Sequence, residues 1–573
     1  LGRAARLAEA SVGESEEARA LRDEAEELLA PVRAVMDAAL ASRLGRTFLL
    51  DATVQGWDAV VAKGRSTTVR DALQGLYPIH FPVAFPEVFG GPRDGFDVIV
   101  GNPPWEEVTV EEDKFWGMHD PQLRSLESKK RSARMRELAD LRPDLNSEYR
   151  DRVAQAKALR SLLLKGQFPG MEKGDPDLYK AFLWQFWRLL SPRGRLGVVL
   201  PRSAFAALGP SDWRNAALRQ SRSDVIFAIN EGEWIFADVN VGWSVALLTL
   251  VRSGPPALFV GGPYRSASSF ARHSMADLLM IDLGRLSQVD PNLCVPAIDG
   301  PNGIRLFATL IESKALGATR DDFIVRPVRE LDVSLDGRDR FFTNDSNDHP
   351  VFNHLNIGRF TFEPEIGVFN YVELSPVREE LLRRRIATYR RSDSPMRGMP
   401  ANVAHDSCTL PLLHPRIAIR DVVHASNPYK VWAALVPSKT VLTNKAPWLF
   451  FLDAPIEVQA YLLGILNSAI CDWYGHLRVV LNLNFFILNT IPVPIYHASD
   501  SRCVRVAELA GSLALTSQGD FGEWRLFDGP VLSDAERVAR IAELDALVSL
   551  LYGVPDDLLD EVFNTPARSS LSE

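Results

Sequence analysis

Residues 96–105, FDVIVGNPPW, constrain this chain more than any other stretch. Val98, Ile99 and Val100 are consecutive apolar β-branched residues. Such a run predicts a strand buried on both faces in a parallel sheet. Gly101 ends the run, and Pro103 and Pro104 cannot donate to a ladder. The chain must therefore leave the sheet at Asn102. The end of such a strand is where α/β proteins place their chemistry.

The surrounding pattern extends the α/β reading. Leu196 to Leu200, closed by Pro201, predicts a second buried strand, and a turn at 191–194 precedes it. An amphipathic aromatic helix is expected over 177–190 and another over 213–220. Val225 to Asn230 and Ser244 to Val251 read as further strands. Strands alternating with helices imply a doubly wound sheet. Residues 14–45 read as a helix that Pro31 should kink or divide, and 111–166 as a charged helical insertion. After Gly254-Pro255-Pro256 the texture changes to short strands and turns up to about residue 500. Helices return over 502–515 and 533–562, the latter with Leu544, Leu547, Leu550 and Leu551 on an apolar face. The expected order is a helical segment over 1–75, a catalytic α/β domain over 76–255, a mixed α+β domain over 256–500 and a C-terminal helical segment over 501–573. A length of 573 residues accommodates two to four domains.

Composition narrows the class. No run of eighteen apolar residues occurs, so no membrane span is expected. Cys294, Cys408, Cys471 and Cys503 are far apart, which supports neither a zinc site nor a disulfide framework and points to a reducing cytoplasm. The start lacks both an initiator Met and the apolar core of a signal peptide, so the natural chain is expected to begin upstream. A net charge of −9 argues against polyanion binding over the whole surface. Two basic stretches run against it: Lys129, Lys130, Arg131, Arg134 and Arg136, and Arg383, Arg384, Arg385, Arg390, Arg391 and Arg397. Each reads equally as a solvated helix face.

The Asn-Pro-Pro-Trp segment carries a specific chemistry. An exocyclic amine on a purine is a poor nucleophile, because its lone pair is delocalised into the ring. Two acceptors aimed at its N–H groups draw the nitrogen toward a reactive tetrahedral shape. The Asn102 amide oxygen is one acceptor, and the Pro103 carbonyl is the other. The rings of Pro103 and Pro104 fix the direction of that carbonyl. Trp105 offers a flat face for a base taken out of its stack. The bland alternative is a proline turn after a strand. The segment matches the [N/D/S]-P-P-[Y/F/W] motif of amino-group methyltransferases.

FPEVF at 85–89 and GFDVIVGNPPW at 95–105 together resemble the Eco57I-type restriction–modification methylases, a group of gamma-class adenine-N6 DNA methyltransferases found in phage-defence systems. DLYKAFLWQFWRLLSPRGRLGVVLPRSAF at 177–205 is similar to the family's next two motifs, and EGEWIFADVNVGWSVALLTLVRSG at 231–254 to its last catalytic one. The resemblance implies a Rossmann-like methyltransferase domain followed by a target-recognition domain. It implies S-adenosylmethionine as cofactor, with Leu178 and Tyr179 bordering the cofactor and target-base pockets. It also implies that Phe236 packs on the flipped base; the bland reading of Phe236 is a core residue. PRIAIRDVV at 415–423, LVPSKTVLTNKAPWLFFL at 435–452 and the segments at 460–478 and 481–496 resemble the recognition domain. Arg416, Arg420, Asn444 and Lys445 are its candidate DNA contacts, weighed against phosphate-contacting or surface roles. The partner implied is double-stranded DNA, with nuclease or helicase components of a defence system.

The family's Gly-rich cofactor turn is not found in 1–95, where Asp51 closes an apolar run with no glycine loop behind it; the turn is expected before residue 1, leaving the sheet incomplete at its start. No PD-(D/E)xK nuclease pattern accompanies Asp144 and Glu148, and Glu111, Glu112 and Asp113 read as a helix start. Two other functions stay open: a protein or RNA amino-group methyltransferase, and a DNA-specificity module without catalysis.

Overall fold

The computed structural model describes residues 12–45, 56–74, 76–91, 94–237, 244–318, 320–336, 340–343, 345–423, 427–479, 482–516 and 519–563. Asp51 and residues 238–243 lie outside them. The chain divides into two compact units. The first is Leu1–Ile229 with Trp243–Phe259, and the second is Asn230–Gly242 with Val260–Glu573.

The first unit opens with helix α1 (Val12–Arg43), followed by α2 (Trp57–Gly64) and α3 (Thr67–Leu73). Pro31 sits inside α1, which continues through it. Gly64 lets α2 approach α1, because a Cβ there would lie 1.9 Å from the Ala34 carbonyl oxygen. Strand β1 (Phe96–Gly101) comes next. The 85–89 segment acquires a plain packing role here: Phe85 and Phe89 meet the Phe96 ring edge-on at 5.3 and 5.4 Å. The insertion folds as α4 (Glu112–His119), α5 (Ser128–Leu141) and α6 (Pro143–Leu163). Glu112 and Asp113 occupy the first turn of α4, where the helix dipole favours carboxylates.

Helix α7 (Leu178–Leu189) buries Tyr179, Leu183 and Trp187, one turn apart, and runs directly into β2 (Leu190–Pro201). The turn expected at 191–194 is an irregularity inside this strand instead. Phe96 pairs with Leu190 and Val98 with Arg195, so the intervening residues of β2 bulge from the ladder. Helix α8 (Ser211–Leu218), β3 (Arg222–Ile229) and β4 (Ser244–Val251) complete the motif. In the six-stranded sheet these four strands run in the order β1-β2-β4-β3. β1 and β2 are parallel, whereas β4 runs antiparallel to both its neighbours. The sheet is thus mixed. Leu196, Val198 and Leu200 alternate inward on β2 and are all buried.

The expectation for β1 needs correction. It is the outermost described strand, and Val98 and Val100 are 61% and 80% exposed. A β-branched run reports what a face is suited to pack against, not what covers it.

The second unit holds a five-stranded sheet built on β5 (Ile324–Val328), β6 (Phe360–Thr361), β7 (Arg416–Ile419), β8 (Ala433–Val436) and β9 (Trp448–Leu452), ordered β6-β8-β7-β9-β5. A four-stranded sheet lies in the same unit. Between β6 and β7 in sequence runs α9 (Leu374–Thr388). Helix α10 (Ile456–Leu466) is apolar on all sides and accordingly buried from Ala460 to Leu466. Gly464 allows α11 (Ser501–Ala514) to approach it, since a Cβ would meet Val506 Cγ1 at 2.8 Å. Helix α12 (Asp534–Tyr552) starts at a Ser533–Glu536 capping box and stops at left-handed Gly553. Its buried face is Leu544, Val548 and Tyr552; of the other expected leucines Leu547 and Leu551 are half-buried and Leu550 is exposed. Leu544 fits both stripes, and packing selects the i, i+4, i+8 set.

Candidate functional site

The register fixes where the chemistry sits. Gly101 pairs with Val198 in parallel, β2 ends at Pro201, and Ile229 pairs with Ser244. The ends of β1, β2 and β3 therefore lie along one edge of the sheet, and Asn102 leaves from it. Asn102 and Pro104 are exposed, Pro103 is buried and Trp105 is half-buried. No described residue hydrogen-bonds the exposed Asn102 amide.

The chain just beyond Trp105 is pinned. The Leu178 N–H donates to the Glu106 carbonyl at 3.0 Å, and Glu107 bridges Asp177. The start of α7 is thereby tied to the Asn-Pro-Pro-Trp segment. Tyr179 is buried, and its hydroxyl lies 3.1 Å from Ser203 Oγ, just past the end of β2. Burial pushes the Tyr179 phenol well above its ordinary range, so it is a neutral hydrogen-bonding group. The buried ammonium of Lys180 lies 3.3 Å from Asp177 Oδ2 and donates to the Asp175 carbonyl. Burial raises the Asp177 carboxyl, and Lys180 opposes that rise. Sequence reasoning missed Ser203 and Lys180; a lone serine or lysine carries no periodic signal.

Leu178 joins an apolar cluster with Val108, Leu163, Met171 and Ala181. Leu178 and Tyr179 are both turned into packing. A cleft of about 680 Å³ is lined by Arg33, Asp37 and Arg70 of the opening helices and by Tyr77 beyond them. Among the described residues no group of three or more His, Cys, Asp or Glu is placed to hold a metal ion. None of the described helices is long and apolar enough to cross a membrane. All four cysteines are free thiols.

Phe236 is half-buried and belongs to the second unit, on the loop that succeeds β3. Of the candidate DNA contacts, Arg416 is corrected by the structure. It is 4% exposed in β7, and its Nη2 pairs with buried Glu330 at 2.6 Å and with the Thr440 carbonyl at 2.8 Å. Asn444 is also engaged, donating to Asp332 at 2.9 Å. Arg420 is half-buried, donates to the Val422 carbonyl and lies 4.6 Å over the Trp432 ring. Only Lys445 is exposed.

In the second basic stretch Arg383, Arg390, Arg391 and Arg397 are exposed, Arg384 is half-buried and Arg385 is buried. Arg385 is buried and caps the carbonyls of Ala404, Asp406 and Thr409. Arg391 pairs with Asp393, and Arg384 with both Asp336 and Glu380. In the first stretch Arg131 and Arg134 pair with Asp113 and Asp120, while Lys129 and Lys130 are exposed. Glu380, whose side chain is 9% exposed, is gripped by Arg383 at 2.7 Å, Arg384 at 2.8 Å and Arg340 at 3.1 Å. The Arg383 hydrogen bonds, aided by Arg384 and opposed by burial, hold its carboxyl at about 2 against an ordinary 4.5. A depressed carboxylate stabilises the fold above the ordinary value, and that contribution is lost as pH falls toward the folded one. Glu380→Gln is expected to remove on the order of 1–3 kcal/mol at neutral pH. It should also flatten the loss of stability between pH 4.5 and 2, as read by denaturant titration at a series of pH values.

No family model matches the chain, and no curated protein does. Solved structures give distant matches. One is the type IIL restriction-modification enzyme MmeI in complex with DNA, at 12% identity and a TM-score of 0.38, covering 72% of this chain and 55% of that one. Another is the type IIG restriction endonuclease BpuSI, at 13% identity and 0.25, covering 91% of this chain and 65% of that one. A third is the type ISP restriction-modification enzyme LlaGI, as a nuclease-deletion mutant with a DNA substrate mimic, at 10% identity and 0.33, covering 82% of this chain and 37% of that one. The chain thus spans less than two thirds of each of these proteins, and at such TM-scores the likeness carries no weight for fold or chemistry.

Proposed function

We propose that this chain carries the target-base side of a DNA methyltransferase that modifies the N6 amine of adenine within a specific sequence, as part of a restriction–modification or phage-defence system. S-adenosylmethionine is the donor in this reading, supplying an electrophilic methyl group. The sheet is read as part of a doubly wound Rossmann-like domain, and the second unit as the reader of double-stranded DNA.

One observation carries the reading: an exposed Asn102 amide, unengaged by described residues, at the lip of a strand whose next residues are two prolines and a tryptophan. In the proposed reaction the Asn102 oxygen and the Pro103 carbonyl each accept one N–H of the adenine amine. Both acceptors favour the nitrogen as its geometry becomes tetrahedral and its protons grow acidic, so they act on the transition state more than on the bound base. Trp105 offers its indole face to the extruded purine, and Phe236 is read as a second aromatic that stacks on it. The tie between Glu106 and Leu178 keeps the segment from drifting as the base enters.

The test is transfer of labelled methyl from S-adenosylmethionine to unmethylated duplex DNA by the full-length natural protein, with subsequent digestion to nucleosides. Label in N6-methyladenine is the expected result. Label in RNA or protein, or none in any acceptor despite DNA binding, overturns it.

A further inference from the structure

The loop that carries Phe236 is organised by groups that the proposed chemistry does not use. β3 ends at Ile229, at the sheet edge from which Asn102 also departs. The next residue, Asn230, is completely buried. Its amide oxygen accepts the N–H groups of Ile235 and Phe236, both at 3.0 Å, and its amide nitrogen donates to the Phe236 carbonyl at 3.0 Å. One side chain thus holds both backbone polar groups of Phe236. The turn between them uses left-handed Gly232 (φ 67°) and Glu233 (φ 59°). A non-glycine residue in that region persists only where its surroundings over-determine it.

A second set of contacts seats the same loop. Trp234 lies 5.9 Å from Phe270, which stacks on His273 at 6.3 Å and meets Tyr264 edge-on at 5.7 Å. The Tyr264 hydroxyl and His273 Nδ1 are 2.5 Å apart, which locks the pad. Glu231 reaches Arg265 at 3.4 Å on the exposed side. The loop is therefore closed upon itself by an amide and laid on an aromatic pad, while the ring of Phe236 stays half-buried.

We propose that Asn230 and Trp234 are positioning residues that hold the Phe236 ring in a fixed attitude toward an extruded base, so that stacking depends on the amide clamp and the aromatic seat. This rests on Phe236 being a stacking residue. A ring held ready in advance loses little freedom when the base arrives, whereas a released ring must be ordered at each turnover.

The experiment is steady-state transfer of labelled methyl to unmethylated genomic DNA by the full-length natural protein and its variants, with thermal melting in parallel. Phe236→Ala is expected to lower kcat roughly tenfold or more, the scale of a lost base–aromatic stack, with a smaller change in KM for DNA. Asn230→Ala should reproduce that fall, and Asn230→Asp, which keeps the accepting oxygen but loses the donated N–H, should fall between it and the parent. Trp234→Ala should act in the same direction. The decisive measurement is the double variant Phe236→Ala/Asn230→Ala, expected to be no slower than Phe236→Ala alone, because a clamp has nothing to hold once the ring is gone. Multiplying effects in the double variant, or a parental rate in Asn230→Ala and Trp234→Ala beside an impaired Phe236→Ala, overturns the positioning role and leaves the stacking reading intact. A parental rate in Phe236→Ala overturns the stacking reading itself. Should Asn230→Ala not fold, Asn230→Asp and Trp234→Ala carry the same comparison.

Discussion

Asn102→Ala lowers the rate of methyl transfer by roughly 10²–10³, the effect of deleting one preorganised group that meets developing charge. The side chain is exposed and unengaged by described residues, so its removal leaves no cavity and orphans no buried partner. Stability should change by less than about 0.5 kcal/mol, as for most surface replacements. DNA affinity should hold within a few-fold, because binding strength comes chiefly from phosphate contacts. Single-turnover transfer, filter binding and denaturant unfolding read these three quantities separately. A variant that keeps parental turnover shows that the amine is gripped elsewhere. Asn102→Asp provides a sharper contrast: it retains an accepting oxygen at the same reach and should keep more activity than alanine.

Arg416→Ala has the opposite signature. It should cost about 3–5 kcal/mol of stability, the range for breaking a buried ion pair from one side. Glu330 would be left buried, with the Leu442 N–H as a remaining donor at 2.9 Å. Burial raises the Glu330 carboxyl and lowers the Arg416 guanidinium, and the Arg416 charge is what opposes the rise at Glu330. Replacing both residues by apolar ones of similar volume, as in Arg416→Met/Glu330→Leu, should recover much of the loss. Urea unfolding of the single and double variants tests this. If Arg416→Ala instead leaves stability unchanged and abolishes selective DNA binding, the arginine reads bases after all.

The two cases show what kind of information a linear pattern holds. Asn102 to Trp105 could be picked out because two prolines after a β-branched run permit few local conformations, and the structure puts that segment at a strand end. β4 was legible to the residue, as an apolar run bounded by a polar loop and a Gly-Pro-Pro sequence. Arg416 was misread because an arginine in a strand has the same letter whether it faces a groove or a buried glutamate 86 positions earlier. Val98 and Val100 were misplaced for a related reason, since hydrophobicity records suitability for burial and not the identity of a neighbour. The Asn230 clamp was invisible because its meaning lies in three backbone atoms of residues 235 and 236, and backbone atoms are common to every sequence.

The way the chain is threaded has a consequence for recombination. Residues 230–237 pack with the second unit, yet the chain on either side belongs to strands of the first, so the polypeptide passes from one unit to the other three times. Exchanging specificity between homologous chains by a single crossover near residue 255 would leave Trp234 on one parent and its seat, Phe270, on the other. Functional chimeras of this architecture need two further junctions, near residues 230 and 243, so that the short excursion is inherited together with the body it rests on.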